Sequence, residues 1–189
     1  MKKIPSLFLR DFSPGGNPAL VTTEPNPACA WVFSGHGVPT RKRDGTAVHF
    51  MNGGLWRRYD AKQGKPTPPG FLPCQDPDPE TGHYPGWVPI GPEDRWHLWA
   101  YYQHGPLPDG TYELCGPKVG DNAERLDEYV FFKHGVEKLY DMGRGPLMYD
   151  LLRDYFRVVE IEGIVWHHDD GRMAKLKRAD FGFAWPVKG

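Results

Sequence analysis

The sequence has few cysteines and no long apolar run. Its 189 residues include three cysteines, which lie far apart and form no C-x-x-C pair: Cys29, Cys74 and Cys115. This pattern argues against both a disulfide framework and a thiolate zinc site. No stretch approaches the roughly 20 apolar residues that a membrane-spanning helix needs, and the N-terminus lacks an apolar signal core. We therefore expect a cytoplasmic protein that has no membrane partner.

An excess of charge of one sign is also missing. The chain has 23 Lys and Arg against 24 Asp and Glu, a formal net charge of −1. Net charge therefore does not indicate a nucleic-acid binder, although a local basic patch is compatible with it. The sequence contains no phosphate-binding G-x-x-x-x-G-K-[ST] loop, no G-x-S-x-G and no [ST]-x-x-K. These absences argue against P-loop chemistry and against the serine hydrolases that carry those motifs.

Short alternating apolar segments dominate the chain, separated by turns rich in its 20 prolines and 23 glycines. Asn52-Gly53 between two such segments predicts a β-hairpin. Apolar residues at helical spacing predict one helix, over 145–156. We predict strands over 28–33, 46–51, 54–59, 96–102, 111–115, 128–132, 158–166 and 173–177. The fold class is therefore α+β, built from hairpins.

Residues 65–94 contain nine prolines, a density that predicts no regular element. We expect an ordered loop pinned to the protein by aromatic residues. A surface loop and a flap that faces substrate both fit this composition.

The most informative string is K-x-D-G at residues 42–45. Alone it is weak, because a charged β-turn would give the same pattern. Four further strings follow it in order: L-W-x-R-x-D at 55–60, Y-E-L-x-G at 112–116, E-G-I-V-W at 162–166 and K-x-K at 175–177.

This ordered set resembles the nucleotidyltransferase motifs shared by DNA ligases, RNA ligases and mRNA capping enzymes. It looks closest to the ATP-dependent 5′-to-3′ RNA ligases of the RNA ligase 1 type. The resemblance covers nearly the whole chain. It implies one ligase-type nucleotidyltransferase (adenylation) domain over 1–189, with antiparallel sheets, flanking helices and no OB domain.

The resemblance makes Lys42 the nucleophile that attacks the α-phosphate of ATP and becomes AMP-loaded. Such a lysine must be unprotonated near neutral pH, so its pKa has to be lowered. Neighbouring cations do this, and we expect Arg41 and Arg43 to contribute.

The K-x-K motif puts Lys175 and Lys177 two residues apart on a predicted strand, so both side chains leave one face. Two ammonium groups side by side favour an anion between them, as in a triphosphate site. A solvated edge strand bearing lysines is the alternative. Glu162 borders an apolar run, which fits either a core edge or, by the resemblance, a contact to Mg²⁺ (or Mn²⁺).

The resemblance also assigns the nucleotide contacts. Glu113 would accept from ribose hydroxyls or help to hold the metal, and its alternative role is structural. Arg58 is preferred over Arg57 as the arginine on the phosphate and ribose side, because Arg58 matches the family string. Alternation lets only one of them face the pocket. Phe132 is expected to stack on adenine, with Phe131 as the alternative, and either residue could instead be a plain core aromatic.

Three histidines do not form a metal site in this interpretation. Adjacent His167 and His168 would point to opposite faces of a strand, and a structural or surface role is expected for them and for His134.

These observations predict an ATP-dependent RNA ligase that joins RNA 5′-phosphate and 3′-hydroxyl ends through lysyl-AMP. A minimal DNA ligase and a nucleotide- or RNA-binding module without turnover are the alternatives. The sequence does not determine the oligomeric state.

Overall fold

The computed structural model describes residues 2–62, 64–140 and 147–187. The chain divides into two compact units. The first comprises Met1–Lys3 and Asp44–His134, and the second comprises Ile4–Arg43 and Gly135–Gly189. Each unit has its own apolar core.

The first unit contains a six-stranded antiparallel sheet and one helix. The strands are β4 (Thr46–Met51), β5 (Gly54–Lys62), β6 (Leu72–Pro73), β7 (His83–Pro89), β8 (Gly110–Cys115) and β9 (Val130–Lys133), and the helix is α2 (Arg95–His104). In the sheet these strands lie in the order β6-β7-β5-β4-β8-β9.

One face of this sheet is covered by the apolar core. Val48, Phe50 and Leu114 are fully buried there, and Ala100 of α2 packs against them. Because side chains alternate across a strand, residues one position away along β4 and β8 project from the opposite face.

In its described part, the second unit contains two smaller sheets and two α-helices. A three-stranded antiparallel sheet has the order β11-β10-β3, and β1 pairs with β2. The elements are β1 (Phe8–Arg10), β2 (Val21–Pro25), α1 (Ala30–Phe33), β3 (Val38–Lys42), α3 (Tyr149–Val158), β10 (Gly163–His167) and β11 (Met173–Lys177). The α3 residues Leu152 and Phe156 pack in one core with Ile164 and Leu176.

The predicted α+β class with antiparallel sheets is confirmed, and among the described residues no sheet closes into a barrel. The Asn52-Gly53 hairpin is confirmed as well, since both residues have the positive φ (52° and 75°) that a tight hairpin turn requires. The predicted helix is present from Tyr149. Residues 145–146 of that prediction lie outside the described residues.

Two predicted strands are helical in the structure. Residues 28–33 form a 3₁₀ turn and α1, because Asn26 accepts from the Ala28 N–H at 3.0 Å and Pro27 follows at the first helical position. Residues 96–102 belong to α2, where Ala100 is fully buried and Tyr101 stacks on Phe50 at 6.1 Å. Aromatic strand propensity is a weak preference that tertiary packing overrides.

The predicted strand over 158–166 begins only at Gly163, because α3 continues to Val158. The buried Arg178 guanidinium donates to the carbonyls of Phe156 and Val159. It therefore satisfies carbonyls at the C-terminal end of α3.

The prediction that residues 65–94 hold no regular element is wrong, because β6 and β7 lie there. Ile90 donates its N–H to the Leu55 carbonyl at 3.1 Å. Hydrogen-bonded pairs alternate along an antiparallel ladder, so Pro85 and Pro89 occupy positions that do not bond to β5. Proline is tolerated at such positions.

Candidate functional site

Lys42 and Lys177 flank one glycine in the three-stranded sheet. Gly163 of β10 is directly opposite Lys42 of β3 on one side and Lys177 of β11 on the other. Directly opposite residues project from the same face, so both lysines leave the sheet beside a position that has no side chain. A Cβ on Gly163 would lie 2.6 Å from the Leu176 carbonyl oxygen, so this position accepts only glycine.

The Lys42 amine is held by a carboxylate. Lys42 Nζ donates to Glu162 Oε2 at 2.5 Å. The two side chains are only 26% and 12% exposed, so water screens this ion pair weakly. The structure places Glu162 against Lys42, and the contact of Glu162 with Mg²⁺ stays a prediction.

Lys175 is a third ammonium group beside these two. It lies two residues before Lys177 on β11, so both leave the same face, as expected. Burial lowers the pKa of Lys175, and the charges of Lys177 and Lys42 lower it further. We refer to Lys42, Lys175 and Lys177 as the lysine cluster. Mutual repulsion makes such a cluster a favourable place for an anion.

A buried carboxylate fixes the end of β11. Asp180 is 1% exposed and accepts from the Lys177 backbone N–H at 2.8 Å and from Arg10 Nη2 at 2.8 Å. Neither Asp180 nor Arg10 was singled out from the sequence. An acidic residue three positions after the end of a strand is a capping signal that could have indicated Asp180.

The contribution expected of Arg41 and Arg43 to a lowered pKa of Lys42 stays a prediction. Both arginines form ion pairs with Glu137, at 3.6 Å and 2.8 Å. Arg43 also donates twice to that carboxylate at 2.9 Å. Their charges are thus partly balanced by a carboxylate, and Lys175 is a further cation whose charge interacts with that of Lys42.

In the first unit, strand register places three predicted residues on one face of the six-stranded sheet. Glu113 is directly opposite Phe132 and Ala47, and Arg58 is directly opposite Trp87. Alternation along β4, β5 and β8 puts Arg58, Glu113 and Phe132 on the face away from the apolar core. Contact of these residues with a nucleotide stays a prediction.

The structure separates each predicted residue from its neighbour in sequence. Phe131 packs on Phe50 in the core, with ring centroids 5.1 Å apart, so only Phe132 shares the face of Glu113. Arg57 lies on the core side and forms an ion pair with Asp94 at 2.7 Å.

Arg58 is oriented by an aromatic ring. Its guanidinium carbon lies 5.3 Å from the centre of the Trp87 ring, within the range of a cation–π contact. Its Nη1 donates to Cys74 Sγ at 3.4 Å. Trp87 is itself buried, so it gives the guanidinium a fixed platform.

Glu113 has a partner that sequence reasoning missed. His134 Nε2 lies 3.0 Å from Glu113 Oε2, and the side chains are 24% and 13% exposed. The expectation that His134 has only a structural or surface role did not include this contact. Its distance of 21 residues from Glu113 gives no signal in the sequence, because only the pairing of β8 and β9 brings them together.

Across 2–62, 64–140 and 147–187 there is no group of three or more His, Cys, Asp or Glu side chains that could hold a metal ion. A single carboxylate such as Glu162 still suits Mg²⁺, which takes one or two carboxylates together with phosphate oxygens and water. In the same ranges, none of the helices has the length and apolar character that a membrane span requires.

Comparison with known proteins finds similarity to one family. Residues 106–189 match the family model described as RNA ligase 1. The match includes the Y-E-L-x-G, E-G-I-V-W and K-x-K motifs and leaves Lys42 outside it. The resemblance to the RNA ligase 1 family is therefore confirmed, at low sequence identity.

Individual relatives agree with this assignment. The chain is 30% identical over 145 residues to RNA ligase 1 of Danio rerio, covering 57% of this chain and 43% of that protein. It is 24% identical over 226 aligned positions to RNA ligase 1 of Pongo abelii, covering 79% of this chain and 69% of that protein. RNA ligase 1 of Mus musculus is 25% identical over 228 positions, covering 80% of this chain and 69% of that protein. The match thus spans less than half of the fish relative and about two thirds of the mammalian ones.

Proposed function

We propose that this chain is an ATP-dependent RNA ligase with a ligase-type nucleotidyltransferase fold, and that Lys42 forms the covalent lysyl-AMP intermediate. The observation that carries the proposal is the lysine cluster around Gly163, with Glu162 bonded to the Lys42 amine. A structural role for three ammonium groups on one side of a small sheet is costly, because they repel one another. An anionic substrate turns that repulsion into binding.

Lys42 Nζ would attack the α-phosphorus of ATP, and the bond from that phosphorus to the bridging oxygen would break. Pyrophosphate leaves with the bonding electrons, and the amine proton passes through Glu162 to water. A neutral amine is needed for this attack. Lys175 and Lys177 favour it, since each nearby positive charge disfavours protonation of another amine, and they act against the Glu162 carboxylate, which stabilises the ammonium form.

Lys175 and Lys177 have a second role after attack begins. Negative charge moves onto the pyrophosphate oxygens as the bond breaks, and fixed ammonium groups stabilise that charge without reorganisation. The Arg10–Asp180 pair supports this role, because Asp180 fixes the backbone of Lys177.

Mg²⁺ fits Glu162 as a one-carboxylate ligand and would neutralise phosphate charge there. Phe132 would stack on adenine, Glu113 would accept from a ribose hydroxyl, and Arg58 would contact the phosphate or ribose. In the later steps AMP passes from Lys42 to the RNA 5′-phosphate. A 3′-hydroxyl then attacks that phosphate, forming the phosphodiester and releasing AMP.

The test is the intact mass of the full chain after incubation with ATP and Mg²⁺. The chain should gain one AMP that is stable to base and labile to acid, as a phosphoramidate is. Lys42→Ala should gain none. Lys42→Arg should also gain none, because guanidinium is not deprotonated in proteins. An adduct on the Lys42→Ala variant would remove Lys42 from the mechanism.

The substrate is tested separately, with nicked or single-stranded RNA, DNA and hybrids that carry 5′-phosphate and 3′-hydroxyl ends. RNA should be sealed best. Efficient sealing of DNA alone would identify a DNA ligase, while AMP loading of the chain without any sealing would support a module that lacks turnover.

A further inference from the structure

His134 is positioned by the strand that precedes it. It follows β9 directly, and its backbone N–H donates to the Thr111 carbonyl at 3.1 Å. This bond continues the pairing of β8 with β9, in which Glu113 is opposite Phe132. The imidazole therefore reaches the Glu113 carboxylate from the end of the neighbouring strand.

The direction of this hydrogen bond follows from the chemistry of the two groups. An ionised carboxylate only accepts, so His134 Nε2 donates to Glu113 Oε2. His134 Nδ1 is buried and has no hydrogen-bond partner within the described parts of the chain. With the proton on Nε2, Nδ1 is an acceptor, and a buried N–H without a partner is avoided.

The residues directly opposite Glu113 cannot fix its carboxylate. Its directly opposite residues are Ala47 and Phe132, whose side chains have no hydrogen-bonding atoms. A glutamate has three rotatable side-chain bonds, so a carboxylate that recognises a hydroxyl must be oriented by another group. His134 supplies that contact and engages one of the two oxygens.

We propose that His134 is a positioning residue that orients Glu113 for a sugar hydroxyl, and thereby determines the preference for ribonucleotides over deoxyribonucleotides. The inference rests on the proposed function. The experiment distinguishes a failure of this inference from a failure of the proposed function, because sugar recognition is measured by nucleotide binding as well as by formation of lysyl-AMP.

The experiment compares the full chain with His134→Ala, His134→Gln, Glu113→Gln and the His134→Ala/Glu113→Gln double variant. Each is tested with ATP, 2′-deoxyATP and 3′-deoxyATP. The readouts are the rate of AMP loading by intact mass and the rise in melting temperature on nucleotide binding. His83→Ala is the matched control, since His83 forms the same kind of pair with Asp60 at 2.5 Å, but half exposed. Such a surface pair should contribute little.

The parent chain should prefer ATP to at least one deoxy analogue. His134→Ala should reduce that preference roughly 10- to 100-fold, by analogy with the loss of a partner that orients a metal ligand. The variant should bind and use ATP less well, whereas its binding and use of the deoxy analogue should change little. His134→Gln keeps an N–H donor and should restore part of the preference. In the Glu113→Gln background His134→Ala should have no further effect, because it acts through Glu113.

Two results would overturn the inference. The first is an unchanged sugar preference in His134→Ala. The second is an equal loss of binding and AMP loading with ATP and with the deoxy analogues, in proportion to a fall in stability. If the parent forms no AMP adduct but binds ATP with a sugar preference that His134→Ala removes, the covalent chemistry is wrong and the positioning role stands. If the parent binds no nucleotide at all, both are wrong.

Discussion

The ion pair between Lys42 and Glu162 leads to an asymmetric stability prediction. Exposed ion pairs contribute about 0–1 kcal/mol, whereas removal of one partner of a buried pair costs about 3–5 kcal/mol. This pair is 26% and 12% exposed, so it lies between these limits. We expect Glu162→Gln to cost about 2 kcal/mol, because it also leaves the lysine cluster without the carboxylate.

Lys42→Met should cost less than Glu162→Gln. It breaks the same pair but also removes a positive charge that interacts unfavourably with Lys175. For a chain of this size, about 2 kcal/mol corresponds to a fall in melting temperature of roughly 4–8 °C. Thermal unfolding without nucleotide, followed by circular dichroism, measures both variants against the parent.

Ionic strength provides the internal control. The Debye length falls from about 10 Å at 0.1 M salt to about 3 Å at 1 M. The added salt screens lysine repulsion, so the deficit of Glu162→Gln should shrink. Pyrophosphate should stabilise Glu162→Gln more than it stabilises the parent, since the anion replaces the missing carboxylate. The reasoning fails if Lys42→Met is at least as destabilising as Glu162→Gln, or if salt increases the deficit.

Three further predictions address the lysine cluster and the base contact. The pKa of Lys175 is lowered, so its charged form destabilises the folded chain at neutral pH, and this cost disappears as the pH rises toward the ordinary value of 10.5. Lys175→Met should therefore raise the melting temperature near pH 7 by more than it does near pH 10, and an equal gain at both would contradict the assignment. Lys177→Ala should fold normally but load AMP slowly, losing on the order of 2–4 kcal/mol of transition-state stabilisation; parental loading rates in rapid-quench assays would refute this role of Lys177. Phe131→Ala should cost about 3 kcal/mol of stability by thermal unfolding, whereas Phe132→Ala should mainly weaken ATP binding by calorimetry, and the reverse pattern would exclude base stacking by Phe132.

Local sequence determined the features that depend on near neighbours. The Asn52-Gly53 turn needs two residues that tolerate positive φ, and two-residue spacing alone puts Lys175 and Lys177 on one face. The ordered motifs indicated a resemblance to the RNA ligase 1 family before any coordinates, because five motifs in a fixed order are more specific than a single short pattern.

Local pattern misled where packing competes with propensity. The aromatic residues of α2 predict a strand, yet in the structure this segment is a helix that places Ala100 against the sheet. The prolines of β7 discourage a strand, yet they fall where no N–H is needed.

Only the tertiary structure determined which groups meet across long separations. Glu162 contacts Lys42 across a separation of 120 residues in the sequence, and Arg10 contacts Asp180 across a separation of 170 residues. His134 meets Glu113 because β9 pairs with β8 in one register, and a shift of one residue would put both on other faces. Such contacts depend on chain topology, and neither residue spacing nor composition encodes them locally.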